Sequence, residues 1–268
     1  DAGFFRNCQL YDAVDRDTII RDARNVIESD LNGIGTVIHL AGISNDPFGN
    51  LTPEQIYNPT REYAYQIALL CKERGIRFIF PSSCSVYGVG GSRELNEDSV
   101  VQPQTPYSAN KLEVEHDLHA LSDDNFSPII LRLATVYGMS PRMRFDLVVN
   151  MLSAMAYTTG NIILNSDGKA WRPHIHIDDV CEAIYQCIHL TNASNKPLLI
   201  NVGSNSQNIR IVDVAHLVKS HVPDSQITFL QTQTTDDPKL SLVRDAKIQD
   251  GVDSRTYKVS FNRIKDLL

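Results

Sequence analysis

The sequence predicts an α/β fold built on a doubly wound parallel sheet, and two observations carry this prediction. Short apolar runs without polar alternation, each bounded by Gly, Pro, Ser or Asn, predict strands that are covered on both faces. Longer segments with helix start and stop signals lie between these runs. Strand and helix therefore alternate along the chain, which is typical of a parallel sheet with helices on both sides.

The elements of the first half follow in order. Strands are predicted at residues 36–40, 77–80 and 129–133. A fourth strand is predicted at 198–202, in the second half, where we expect some segments to return to the main sheet. A helix over 53–74 runs into Gly75 as its stop signal. A second helix, over 106–121, follows Thr105 as the N-cap and has Pro106 at its first position.

After about Tyr137 the pattern changes to a smaller, mixed lobe. Helices are predicted at 146–157, 178–190 and 211–221, with Asp178 as a candidate N-cap and a short strand at 162–164. The polar stretch 231–253 and the glycine cluster 88–91 are interpreted as surface loops. We expect a dinucleotide-binding domain over 1–137 and a region over 138–268 that is mainly a substrate-binding lobe.

Composition excludes several classes of protein. With 268 residues, 42% hydrophobic and 21% charged, the chain is an ordinary folded protein. A net charge of −7 without clustered Lys or Arg argues against nucleic-acid binding as the main function. No apolar run approaches the roughly 18 to 20 residues that span a bilayer. The five cysteines form no C-x-x-C pair, so we expect neither a disulfide framework nor a zinc site, and we expect a cytoplasmic location.

Tyr107 and Lys111 form a Y-x-x-x-K pair that lies on one face of the predicted helix. A phenol has a pKa of roughly 10, so a tyrosine that acts as a base near neutral pH needs a nearby cation. Lys111 supplies that cation, and the first helical turn adds the positive end of the helix dipole. Upstream, a serine-rich stretch at residues 82–85 ends a predicted strand, where ligands bind in parallel sheets.

Histidines offer a weaker signal. His174 and His176 lie two residues apart on a predicted strand, which places both side chains on one face. No third ligand of matching spacing is evident, so we expect no metal site. His39 follows an apolar run and is interpreted as a core residue.

Four motifs occur in a fixed order: Val37-Ile38-His39-Leu40-Ala41-Gly42, S-S-x-x-V-Y-G from Ser82, the Tyr107 and Lys111 pair, and R-P-H-I-H-I-D-D from Arg172. Together they resemble the NAD-dependent epimerase/dehydratase family, the extended short-chain dehydrogenase/reductases that act on nucleotide sugars. The resemblance spans nearly the whole chain. It implies a Rossmann-like sheet and an enzyme of carbohydrate biosynthesis.

The resemblance also implies catalytic roles for three residues. Ser83 would hydrogen-bond the reacting sugar oxygen, Tyr107 would be the general acid/base, and Lys111 would hold the nicotinamide ribose and lower the pKa of Tyr107. The residues that would contact the substrate are Ser83, Cys84, Ser85, Thr135, Arg142, Arg144, Arg172 and Arg255.

Two of these arginines match family residues at the substrate diphosphate. Arg172 and Arg255 each offer a guanidinium fork that fits phosphate oxygens. Thr135 stands where the family often has Asn, which leaves its role open.

The implied cofactor is NAD. Asp1 resembles the acidic residue that binds the adenine ribose, which favours NAD over NADP. The other implied contacts are Asp22, Ala23, Leu40, Ala41, Gly42, Tyr107 and Lys111. The Gly-rich turn that receives the pyrophosphate is not in the sequence. We therefore expect the first strand, the first helix and most of the second strand, together with a short tail after Leu268, to lie outside it.

Three functions remain open from the sequence. The first is a nucleotide-sugar epimerase that transiently oxidises a sugar hydroxyl, most often at C4. The second is a dehydratase or ketoreductase on the same scaffold, although a 4,6-dehydratase of the family has Asp-Glu where this chain has Cys84 and Ser85. The third is a non-catalytic protein that binds nucleotide sugars. The resemblance also implies a homodimer that associates through the helices at 53–74 and 106–121, without nucleic-acid or membrane partners.

Overall fold

The computed structural model describes residues 22–43, 52–141, 143–190, 195–230 and 255–267. In chain order, their strands and α-helices are β1 (Thr36–Ile38), α1 (Pro53–Glu73), β2 (Arg77–Ser83), β3 (Val89–Leu95), α2 (Pro106–Leu121), β4 (Ile129–Leu133), β5 (Thr135–Tyr137), α3 (Val148–Thr159), β6 (Asn161–Leu164), β7 (Trp171–His176), α4 (Ile177–His189), β8 (Leu198–Val202), β9 (Asn208–Arg210), α5 (Ile211–His221), β10 (Gln226–Phe229), β11 (Thr256–Val259) and α6 (Asn262–Leu267).

The main sheet is parallel and has the strand order β1-β2-β4-β8. Its central strands are buried on both faces, which explains their continuous apolar runs. In β2, Phe78 and Phe80 pack into one core, whereas Ile79 between them packs into another. Adjacent residues of a strand point to opposite faces, so each face of the sheet has a core of its own.

Helices cover both faces of this sheet. The core on one face contains Ala68 of α1 and Leu118 of α2 beside Phe78. The core on the other face contains Val180 of α4 beside Ile79, and α6 packs against it. The doubly wound, Rossmann-like fold that the sequence predicts is therefore confirmed.

Three smaller sheets complete the described part of the chain. Strands β5, β7 and β9 form a mixed sheet, β6 pairs with β10, and β3 pairs with β11. A third core joins α3 and α5 to the β6–β10 pair, with Leu152 and Ala215 at its centre. No helix in the described ranges is long and apolar enough to cross a membrane.

Three local predictions need correction. Residues 89–91 of the glycine cluster belong to strand β3 instead of a surface loop, because this strand pairs with β11 far along the chain. A Cβ on Gly90 would lie 2.8 Å from Leu95 Cδ1 and 3.0 Å from Tyr257 Cβ, so a larger residue would require these side chains to shift. Helix α4 begins one residue early, and His176, not Asp178, is its N-cap. Helix α3 begins at Val148, two residues later than predicted, and residues 231–253 lie outside the described ranges.

Candidate active site

Tyr107 lies in the first turn of α2, as the sequence predicts. The Thr105 hydroxyl accepts a hydrogen bond from the Ser108 amide at 3.2 Å, and Pro106 occupies the first helical position. Both features favour a helix start at this point, since the cap satisfies a free amide and proline presets the backbone angle. Lys111 follows one turn later on the same face as Tyr107.

The Lys111 ammonium lies between the end of β2 and the Tyr107 ring. Its Nζ donates a hydrogen bond of 2.8 Å to the Pro81 carbonyl oxygen. The same atom lies 4.6 Å from the centroid of the Phe80 ring and 5.8 Å from that of Tyr107. Burial lowers the pKa of Lys111 to about 8, against the opposing effect of the Glu115 carboxylate. The site thus holds a cation beside the phenol.

Ser83 is the last residue of β2 and lies at the carboxyl edge of the main sheet. Its Oγ accepts a hydrogen bond of 3.1 Å from the Ser85 amide and caps a 3₁₀ turn over Cys84–Tyr87. The turn ends at Gly88, where φ is +68° and a Cβ would lie 1.8 Å from the Gln102 carbonyl oxygen. Pro81 precedes Ser83 by two residues, so the structure brings the Ser83 end of β2 to the helix of Tyr107 and Lys111.

Cys84 and Ser85 are turned into the protein. The Cys84 Sγ lies 3.2 Å from the Arg132 carbonyl oxygen, and burial raises the pKa of this thiol well above its usual range. Ser85 is buried as well, and its hydroxyl has no hydrogen-bond partner among the described residues. Substrate contact by these two side chains stays a prediction.

Three of the predicted cofactor-binding residues follow β1 at the same edge. Leu40 has 71% of its surface exposed, and Ala41 and Gly42 are exposed beside it. Gly42 has φ of +153°, and a Cβ there would lie 2.9 Å from Thr60 Cγ2. His39, just before them, is buried as predicted, but its Nε2 has no partner within the described ranges.

The predicted adenine-side residues are only partly described. Asp22 caps a short 3₁₀ turn that begins at Ala23, and its carboxylate binds the Arg24 side chain and amide. These hydrogen bonds lower the pKa of Asp22 to about 2. Asp1 lies outside the described residues.

The two predicted diphosphate arginines come together although they are far apart in sequence. The Arg172 guanidinium donates to the carbonyl oxygens of Trp171 and Arg255, and it lies 5.5 Å from the centroid of the Tyr257 ring. Arg172 is buried and Arg255 is half-buried. This cluster lies where β7 meets β11.

The other predicted substrate residues lie on neighbouring elements. Thr135 begins β5 and pairs in register with His174 of β7. Arg144 binds the Asp146 carboxylate through Nε at 3.0 Å. Arg142 lies outside the described residues.

Sequence reasoning missed a buried polar network beneath the Ser83 turn. Glu115 and Arg132 form an ion pair with side chains 2% and 5% exposed, joined by hydrogen bonds to Ser82 and Tyr87. Burial alone would lower the pKa of Arg132. The hydrogen bonds and the negative charge of Glu115 outweigh this effect, so the pKa of Arg132 is raised. A signal was available, because Glu115 follows Lys111 by one helical turn on the same face.

A pocket of about 370 Å³ also escaped prediction. It lies where β5, β7 and β8 end, and its lining residues are Tyr137, His174, Ile175, His176, Asp179, Gly203, Ser204 and Gln207. His174 is buried, and burial lowers its pKa to about 4, opposed by backbone groups of Gln207 and Arg172. Within the described ranges no group of three His, Cys, Asp or Glu side chains is placed to hold a metal ion.

Comparison with known proteins shows which family the chain resembles. The model of the NAD dependent epimerase/dehydratase family matches residues 10–203. The uncharacterised UDP-glucose epimerase YtcB of Bacillus subtilis is 29% identical over 217 residues, which are 76% of this chain and 64% of that protein. A dTDP-glucose 4,6-dehydratase of Xanthomonas campestris is 26% identical over 178 residues, 62% of this chain and 49% of that protein.

Solved structures show the same fold. The UDP-glucuronic acid 4-epimerase of Bacillus cereus, solved with UDP-glucuronic acid and NAD, superposes with a TM-score of 0.72. The match has 24% identity and covers 92% of this chain and 74% of that one. The chain spans less than two thirds of the length of the two curated relatives above. Because the family model matches well over half of its residues, the chain belongs to the NAD dependent epimerase/dehydratase family.

Proposed function

We propose that the protein is an NAD-dependent nucleotide-sugar epimerase that works by transient oxidation of a sugar hydroxyl. The observation that carries the proposal is the Lys111 ammonium, held 2.8 Å from the Pro81 carbonyl and 5.8 Å from the centroid of the Tyr107 ring. A buried cation at this point favours the phenolate form of Tyr107 near neutral pH. The amino end of α2 favours the phenolate in the same direction.

The side chains then divide the proton chemistry among them. The sugar hydroxyl gives its proton to the Tyr107 oxygen as its carbon is oxidised, and Tyr107 returns the proton when the keto group is reduced from its other face. The Ser83 hydroxyl holds the same sugar oxygen. Lys111 keeps its positive charge throughout and stabilises the phenolate each time it forms.

The residues present fit the nicotinamide end of NAD. The Lys111 ammonium has three N–H donors. Among the described residues one of them binds the Pro81 carbonyl, so others remain for ribose hydroxyls. Leu40, Ala41 and Gly42 form an exposed edge at which a flat ring can lie. When bound, NAD supplies the two-electron oxidant and is regenerated in each cycle. Asp1, Asp22 and Ala23 are proposed at the adenine end.

The proposed substrate is a nucleotide sugar whose diphosphate binds at Arg172 and Arg255. Two backbone carbonyl oxygens orient the Arg172 guanidinium. Its planar fork matches the geometry of phosphate oxygens. Thr135, Arg142 and Arg144 are proposed as further contacts. In this scheme residues 1–137 bind the dinucleotide, and residues 138–268 mainly bind the substrate.

A 4,6-dehydratase is the second candidate, since relatives with that name also match the chain. Elimination of water requires an acid and a base beside the sugar. The positions that follow Ser83 hold a buried thiol of raised pKa and a buried hydroxyl instead. This chemistry favours epimerisation over 4,6-dehydration. A ketoreductase on the same scaffold and a non-catalytic protein that binds nucleotide sugars remain as alternatives.

The decisive experiment is to incubate the full-length protein with UDP-glucose, UDP-galactose, UDP-glucuronic acid and dTDP-glucose in the presence of catalytic NAD. NMR of the products should show one sugar converted to its epimer without net consumption of the cofactor. A 4-keto-6-deoxy product would identify a dehydratase, and a need for stoichiometric reductant would identify a ketoreductase. Binding without turnover of any of these sugars would favour the non-catalytic alternative.

We also propose that the protein is a homodimer that associates through α1 and α2. These helices pack side by side, and Arg61 of α1 binds Asp117 of α2 at 2.7 Å, so they present one joint surface. Tyr65 lies exposed on α1. Sedimentation should give a dimer for the full-length protein and a monomer for Tyr65→Arg. A monomer in both cases at micromolar concentration would contradict the proposal.

A further inference from the structure

We propose that Glu115 is a positioning residue, which together with Arg132 fixes the Ser83 end of β2 against helix α2. The inference rests on the proposed function, because it concerns the placement of the hydroxyl that would hold the reacting sugar oxygen. Glu115 does not contact substrate or cofactor in this scheme. It acts through Ser82, Arg132 and Lys111.

Helix α2 holds the end of β2 at two consecutive residues. The Lys111 ammonium donates to the carbonyl oxygen of Pro81, and the Ser82 hydroxyl donates to the Glu115 carboxylate. Lys111 and Glu115 are one helical turn apart on the same face, so they approach the strand together. The next residue of the strand is Ser83.

Arg132 holds the other side of Ser83. Its Nη1 donates to the Tyr87 hydroxyl at 3.0 Å, and its carbonyl oxygen accepts from the Cys84 thiol at 3.2 Å. Both of these partners belong to the 3₁₀ turn that Ser83 caps. Residues 81 and 82 are therefore held by α2, and residues 84 and 87 by Arg132 of β4.

The ion pair joins the two sides. Arg132 Nε lies 3.1 and 3.2 Å from the two carboxylate oxygens of Glu115, and Nη2 lies 2.6 Å from one of them. Such a bidentate arrangement fixes the orientation as well as the distance of both groups. The network is anchored further in the sheet, because the Tyr87 hydroxyl donates to Asn201 of β8 at 2.7 Å.

The burial of the Glu115–Arg132 ion pair indicates that it does more than stabilise the fold. Both side chains are almost fully removed from solvent. The cost of desolvating two buried charges offsets much of their attraction. An apolar pair of the same volume often stabilises a fold equally well. Only the polar pair, however, places hydrogen bonds on both sides of Ser83.

Glu115 also acts on the charge of Lys111. Among the described residues, the titratable groups that face Lys111 are Tyr107 and Glu115 on its own helix and His39, which follows β1. Strand β2 contributes the Pro81 carbonyl. His39 is neutral at neutral pH, because its pKa is about 4. Glu115 supplies the negative charge that favours the Lys111 cation against burial. Its loss should lower the pKa of Lys111.

Two variants of the full-length protein, Ser82→Ala and Glu115→Gln, distinguish a loss of positioning from a loss of the fold. Ser82→Ala removes one hydrogen bond to Glu115 and leaves the ion pair, and Ser225→Ala is its control, a buried serine that binds the Val222 carbonyl far from the site. We expect kcat to fall at least fivefold in Ser82→Ala, with NAD and nucleotide-sugar affinity within twofold of wild type. The control should keep wild-type kcat. Wild-type kcat in Ser82→Ala would overturn the proposal.

Glu115→Gln tests the effect of the Glu115 charge on Lys111. The alkaline limb of the pH profile of kcat should move to lower pH, and kcat should fall at least tenfold. Circular dichroism checks that the melting temperature of the variant lies above the assay temperature. Labelling of Lys111 by acetic anhydride, followed by mass spectrometry across pH, should show the same lowered pKa. If Glu115→Gln does not fold, the Ser82→Ala result decides the proposal.

These measurements also distinguish the two proposals. If the wild-type protein turns over no nucleotide sugar, the proposed epimerase function fails, but the labelling of Lys111 still reports on Glu115. Unchanged labelling and an unchanged alkaline limb in folded Glu115→Gln would show a merely structural role and would overturn the inference.

Discussion

The ammonium of Lys111 donates a hydrogen bond of 2.8 Å to the carbonyl oxygen of Pro81. This bond ties the helix of the proposed acid/base to the strand that ends at the proposed substrate hydroxyl. Helix and strand therefore keep a fixed relation even before a ligand is bound. The predictions below test whether that relation serves catalysis.

Replacement of Tyr107 by Phe should remove turnover and preserve binding. The ring and the helix remain, but the ionisable oxygen is lost, so kcat should fall by roughly 100-fold or more. Steady-state kinetics and calorimetric titration with NAD and nucleotide sugar measure the two effects. Tyr157→Phe, at a position 85% exposed, is the control and should behave as wild type. Near-normal turnover in Tyr107→Phe would show that another group is the acid/base.

Lys111→Met should lose both turnover and NAD affinity, because it removes the cation beside Tyr107 and the proposed ribose contact together. It should therefore differ from Tyr107→Phe in calorimetric NAD binding. Lys169→Met is a suitable control, since the Lys169 side chain is 78% exposed and pairs with the neighbouring Asp167. Unchanged NAD affinity in Lys111→Met would remove the proposed ribose contact.

Arg172→Lys should raise KM for the nucleotide sugar about tenfold or more and leave kcat nearly unchanged. The change keeps the positive charge but removes the planar fork that binds two phosphate oxygens, so it affects binding more than chemistry. Arg74→Lys, at the exposed end of α1 where the guanidinium binds Glu28, is the control. A fall in kcat at constant KM would place Arg172 in the reaction step instead of the diphosphate site.

Acid should destabilise the protein through His39. Burial, with the Lys111 charge, lowers the folded-state pKa of His39 to about 4 from 6.5. Between these values the unfolded chain binds a proton that the folded protein does not, so stability is lost as the pH falls through this window. The loss between pH 7 and pH 5 should be about 2 kcal/mol for this group.

Urea unfolding of wild type and His39→Gln at both pH values measures that loss. The variant should lose less stability on acidification than wild type, whatever its stability at pH 7. His216→Gln, at an exposed position, should keep the wild-type pH dependence. Identical pH dependence in His39→Gln and wild type would show that His39 is not a buried neutral group in the folded state.

Local signals account for what the sequence predicted well. Thr105 and Pro106 determine the start of α2 by capping and by backbone preference, which need no information from distant residues. The buried strands were recognisable because coverage on both faces leaves a continuous apolar run. The placement of Ser83, Tyr107 and Lys111 at one edge follows from these elements and the parallel topology.

The remaining features depend on distant partners. Strand β3 contains glycines and charged residues, and its pairing is set by Thr256–Val259, which no local pattern reveals. The start of α4 was misjudged because the His176 imidazole accepts the Asp178 amide at 3.3 Å and replaces the more usual carboxylate cap. Glu115 looks like a solvated helix residue until Arg132 is known to lie opposite it.

The pairing of β11 with β3 has a consequence for the order of events in folding. Tyr257, Val259 and Phe261 are almost fully buried in the same core as Ile79 and Leu131, and the Phe261 ring fills the space that a side chain at position 203 would need. A nascent chain in which Thr256–Phe261 has not yet been synthesised therefore carries a sheet with one unfilled face. That face closes only when β11 emerges, so the nascent chain must keep this apolar surface from aggregating until then.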